Sequence, residues 1–191
     1  MTKLHYDTYE EIKIKIVSLF KQYNITSVPI DCFKLASNMG FELIPYSNLS
    51  DKKLEAVKKL SGGDGYTIDI VDSGRKIIFY DDTACLGRQR FTILHELGHY
   101  ILDHRERSDL AEAEADFFAK YAIAPPPIIY GLEIDNYVDI SDIFVTSKEC
   151  AFYLMESFVK WINYGPKYFT NYEWDLLHLF NLDDYKQCLL S

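Results

Sequence analysis

The sequence predicts an α+β fold in which a small twisted sheet is set among helices. Three observations carry this. "YTIDIV" and "RKIIFY", separated by the turn former "DSG", read as the two arms of a hairpin. Several longer stretches repeat apolar residues at helical spacing behind a capping Ser, Thr or Asp. Gly and Pro punctuate the chain between them.

Taken in order, residues 8–23 predict a helix: Thr8 and Glu11 stand at capping-box spacing, and Ile12, Ile16, Leu19, Phe20 and Tyr23 then share a face. The alternation of Ile12, Ile14 and Ile16 also suits a strand. A second helix is expected over 31–39, capped by Asp31 and terminated at Gly40. "FELIPY" (41–46) follows as a strand ended by Pro45, and 50–60 as a short amphipathic helix broken by "SGGDG". The hairpin leads into a helix over about 86–104, and 108–124 forms another, with Ala111, Ala115, Phe118 and Ala122 along one face and Pro125, Pro126 and Pro127 ending it. Residues 138–162 read as a short helix, a tight turn at Val145 and a long helix capped by Thr146 with Glu149 three residues on. The aromatic, acidic tail holds one helix beginning near Thr170.

The chain has 191 residues, enough to bury one sizeable core. Its net charge of −9 supplies no electrostatic reason to bind nucleic acid or an anionic membrane. Cys32, Cys85, Cys150 and Cys188 are far apart and without a C-x-x-C pair, which suggests free thiols in a reducing compartment. The opening "MTKLHYDTYEEIKIKI" is too charged for a signal peptide, and no apolar run approaches a membrane span. A soluble, cytoplasmic protein is expected.

The chemistry is concentrated in "RFTILHELGHYILDH" (90–104), where an otherwise apolar helix carries His95, Glu96 and His99. Histidines four residues apart project from one side of a helix, one turn apart, and can meet a single metal ion. Glu96, next to the first of them, can reach a water at that ion and take its proton. Gly98 sits mid-helix, at a cost of about 1 kcal/mol relative to Ala, which asks for close approach of another element. A tetrahedral site also needs a third protein ligand. Glu112, Glu114 and Asp116 on the next helix are the candidates. His104 could orient a carboxylate, assist oxyanion stabilisation, or simply end its helix near the negative pole. His5 and His178 carry no spacing signal.

"RFTILHELGHYILDH" followed by "EAEADFFAKYAIAPPP" resembles the ImmA/IrrE family of metallopeptidases, whose pattern is R-F-T-x-x-H-E-L-G-H, then E-A-N/D-x-F-A and a Pro-containing end. "RKIIFYDDT" is similar to the family's strand entering the motif helix, and "AKYAIAPPP" departs from its more usual A-x-x-L-L-M-P. The resemblance implies a zincin-like fold, with the hairpin sheet packed on the H-E-x-x-H helix, a second ligand-bearing helix, and a helical C-terminal part. It implies one Zn2+ per chain held by His95, His99 and a glutamate of "EAEAD", with Glu96 as general base. Glu114 is expected to be that glutamate ahead of Glu112: it shares its face more nearly with Ala111, Ala115 and Phe118, and the E-A-D-x-F-A pattern begins there. On this reading 1–137 is the metallopeptidase domain and 138–191 a helical extension packed on it.

The leading function is therefore a zinc endopeptidase acting on a specific cytoplasmic regulator. The family's setting implies a helix-turn-helix repressor of a mobile element, such as a phage, or of a stress regulon. The alternatives are a metal-binding regulatory scaffold and a transcriptional regulator without proteolysis. Residues 138–162 have helix–turn–helix length, yet Lys148 and Lys160 are outweighed by Asp139, Asp142, Glu149 and Glu156, the wrong sign for phosphate. The "IIFY" strand (77–80), running into the motif helix, is expected to offer an edge to an extended peptide.

Overall fold

The computed structural model describes residues 4–61, 64–106, 108–165 and 167–183. Two compact units form: residues 31–119, and residues 1–30 together with 120–191.

The unit 31–119 holds α2 (Cys32–Asn38), β1 (Phe41–Pro45), α3 (Asp51–Ser61), β2 (Gly65–Ile70), β3 (Arg75–Tyr80), α4 (Leu86–Ile101) and most of α5 (Asp109–Ile123). Asp31 caps α2, accepting from the Lys34 backbone N–H at 3.0 Å, and Gly40 turns the chain into β1 at φ +82°. The strand order is β1-β3-β2, with β1 parallel and β2 antiparallel to β3. The hairpin is thus as expected, but both edges of 77–80 are paired within the chain. Ile77 and Ile78 of β3 face Glu42 and Leu43 of β1 on one side and Ile68 and Thr67 of β2 on the other. The expectation that this strand offers an edge to a peptide is corrected: β1 joins it by a crossover that a linear reading of the hairpin did not include, and β2 is the edge strand nearest the motif helix.

The pleat sorts the two sheet faces. Ile77 and Phe79 pack with Tyr66 and Ile68 against Val57 and Leu54 of α3. The opposite face meets α4, and there Gly65 decides how close the layers come. A Cβ at Gly65 would lie 2.3 Å from Thr92 Cγ2 and 3.4 Å from Glu96 Cγ. On the far side of α4, Gly98 admits Phe118 of α5, whose ring atoms would be 3.1 Å from a Cβ at that position.

The second unit combines α1 (Tyr6–Gln22), the end of α5, α6 (Pro126–Gly131), α7 (Tyr137–Phe144), α8 (Lys148–Tyr164) and α9 (Asn171–Leu179). Helix α1 begins earlier than expected, and its cap is His5, whose Nδ1 accepts from the Asp7 N–H, in place of Thr8. The prolines do end α5, but Pro126 also starts α6, because a first-turn proline forfeits no helical hydrogen bond. Val145 closes α7 in the left-handed region at φ 50°, and Ser147 in place of Thr146 caps α8 through the Cys150 N–H. Thr146 is taken up by that closure, its carbonyl accepting from the Ser141 hydroxyl at 2.8 Å. Glu173, buried at the start of α9, accepts from the Thr170 N–H and hydroxyl and from Trp161 Nε1. No helix among the described residues is long and apolar enough to cross a membrane. Cys32 and Cys85 are free thiols, and Cys188 lies outside the described residues.

Candidate metal centre

Three side chains from two helices converge. His95 and His99, one turn apart on α4, bring their Nε2 atoms to 3.0 Å of each other. Glu112, in the first turn of α5, places Oε2 at 3.3 Å from His95 Nε2 and Oε1 at 3.6 Å from His99 Nε2. One ligand atom from each of the three lies within 4.8 Å of the others, close enough for one ion to bridge them. Two imidazole nitrogens and a carboxylate suit a tetrahedral divalent metal with one position left open. At 43% side-chain exposure, Glu112 stands where the site opens to solvent.

The expected third partner, Glu114, is elsewhere. Its Oε2 lies 2.7 Å from His104 Nε2. Glu112 and Glu114 sit two positions, or roughly 200°, apart on the helix, so only one can face the histidine pair. Asp116, one turn beyond Glu112 on the same side, lies 3.0 Å from His95 Nδ1. An anionic oxygen accepts there, so His95 carries its proton on Nδ1 and turns Nε2 toward the cluster.

The contact between the two Nε2 atoms needs a proton. Burial disfavours the charged form of His95, but the Asp116 hydrogen bond and the charges of Glu96, Asp116 and Glu112 outweigh it and raise its pKa. A cation bound there would take over that proton's role.

Glu96 is buried on the sheet side of α4, and Thr67 of β2 donates to its Oε2 at 2.7 Å. Thr67 carried no signal in the sequence beyond its place in a strand; its role follows from register and from the absence of a side chain at Gly65. A cavity of about 570 Å³ opens beside these groups, lined among others by Tyr66, Thr67, Glu96, His99, Tyr100 and His104.

Residues 44–127 match the IrrE N-terminal-like domain family, Peptidase_M78. The match supports a metallopeptidase of the IrrE/ImmA type, and it runs from the end of β1 through β2, β3, the histidine helix and the helix bearing Glu112. No curated protein matches the chain.

Proposed function

We propose that this IrrE-like chain is a cytoplasmic zinc endopeptidase that cuts a specific protein, with His95, His99 and Glu112 holding one zinc ion and Glu96 acting as general base. The observation that carries it is the convergence of the two Nε2 atoms and the Glu112 carboxylate, with the Glu96 carboxylate alongside. A bound zinc ion supplies Lewis acidity toward water and toward a peptide carbonyl.

The protein's own groups do the rest. Asp116 orients His95. Thr67 anchors one oxygen of Glu96 and so sets the plane in which its carboxylate takes a proton from water and later returns it to the departing amine. β2 lines the cavity through Tyr66, Thr67 and Asp69, and as an edge strand of the three-stranded sheet it can align an extended substrate by main-chain hydrogen bonds. The substrate we favour is a helix-turn-helix repressor of a mobile element or stress regulon, following the family's setting. The free thiols of Cys32 and Cys85 suit a reducing compartment.

The test is co-expression with the products of neighbouring genes, followed by mapping of any cleavage. Cleavage that disappears in Glu96→Gln supports the reading. A partner bound but left intact by zinc-loaded protein supports a sequestering scaffold instead.

A further inference from the structure

Helix α4 ends in a way that returns a third imidazole to the metal-facing surface. Asp103 adopts φ 58°, its N–H donates to the Tyr100 carbonyl at 3.2 Å, and the His104 N–H donates to the His99 carbonyl at 3.0 Å. This is the Schellman pattern, which brings the side chain two residues past the cap against the one three residues before it. Apolar contact is usual between those two positions. Here they are His104 and His99, and their Nδ1 atoms lie 2.9 Å apart. On the far side, His104 Nε2 lies 2.7 Å from Glu114 Oε2.

The geometry points to His104 and Glu114 as a positioning pair that presents the Nε2 lone pair of His99 to the metal. The assignment rests on the reading of His99 as a ligand. A carboxylate oxygen accepts, so His104 donates from Nε2. Neutral His104 then has only a lone pair at Nδ1, and His99 must donate from its own Nδ1. His99 is left with its lone pair at Nε2, the atom that faces His95 and Glu112. The orienting carboxylate reaches His95 directly, through Asp116, and reaches His99 through one intervening ring. Glu114, set beside the metal by sequence reasoning, acts on the site from two hydrogen bonds away.

The test combines zinc affinity with the tautomer of His99 in metal-free protein, read by long-range proton–nitrogen NMR. The parent should carry the His99 proton on Nδ1. In His104→Leu that proton should spread over both nitrogens, and zinc affinity should fall about 10–100-fold, the usual loss for an orienting partner. His104→Asn places an amide oxygen where it can accept from His99 Nδ1, so it should bind zinc within about threefold of the parent, well inside that loss. Glu114→Gln should weaken zinc in the parent background and add nothing in His104→Asn. It leaves the turn and His104 in place, and so serves equally should His104→Leu fail to fold. A His99 proton on Nε2 in the parent, or parent-like zinc affinity in both His104→Leu and Glu114→Gln, overturns the relay. A parent that takes up no zinc overturns the metal reading instead, while the tautomer measurement still decides the relay.

Discussion

Glu112 and Glu114 flank the buried stripe of α5 on opposite sides. At about 100° per residue, the centre of Ala111, Ala115, Phe118 and Ala122 lies about 90° from Glu112 and about 70° from Glu114. A difference that small cannot tell which flank meets the histidines, and the preference for Glu114 leaned on it. Asp116 is the better guide, since it shares the Glu112 flank and lies within hydrogen-bond distance of His95. Glu112→Ala should therefore abolish tight zinc binding, whereas Glu114→Ala should cost about 10–100-fold, as competition titration with a zinc indicator would measure. Glu96→Gln keeps the shape of the side chain and a partner for Thr67 but cannot take a proton. Hydrolysis should fall by about 10²–10⁴ or more with zinc retained, and a rate within twofold of the parent would remove Glu96 from the chemistry. Cys32 offers a check on the core. Burial pushes its thiol up to about 12, with Asp31 adding to the shift and Arg90 opposing it. At pH 8 iodoacetamide should label exposed Cys85 long before Cys32, and peptide mapping should find Cys32 modified only after unfolding.

Among elements, the close approach of β2 to α4 holds Thr67 against Glu96. Gly65→Ala would force Thr92 or the strand to move, at a cost of about 1–3 kcal/mol in denaturant unfolding, and activity should fall further than stability accounts for. Gly65 is the last glycine of "SGGDG", so the sequence marked a break there, but its contact with α4 depends on the layer above it. The end of α7 makes the opposite case. Val145 is β-branched and sits at φ 50°, a conformation that costs an L-residue about 1–2 kcal/mol. Val145→Gly should stabilise the protein by about 0.5–1 kcal/mol once glycine's extra freedom in the unfolded chain is subtracted, seen as a higher unfolding midpoint. The turn itself was legible at Val145. The neighbouring caps were off by one residue at Ser147 and by three at His5, because candidate capping residues adjoin each other and the choice turns on where the first helical carbonyl falls.

For the molecule as a whole, a metal held by His95, His99 and Glu112 would link ligand binding to folding. Chelation should lower the unfolding temperature and added zinc restore it, with about 4 kcal/mol expected at a thousandfold excess over Kd. An unchanged midpoint with and without chelator would argue against a built-in ion. The net charge of −9 also predicts no salt-dependent affinity for duplex DNA. What the sequence settled unaided is what local geometry enforces. Backbone hydrogen bonding at four-residue intervals sets His95 and His99 on one face with Glu96 beside them, and the turn "DSG" joins antiparallel arms. What needed the tertiary structure depends on partners distant in the chain. The crossover that pairs β1 with β3 makes β3 the central strand and leaves β2 as the edge nearest the motif helix. The two chain ends, 1–30 and 120–191, build one unit, which no contiguous division could anticipate. The rotation of α5 about its own axis puts Glu112 at the histidine pair and Glu114 at His104, because packing of Phe118 on Gly98 fixes that rotation and helical periodicity alone leaves both flanks open.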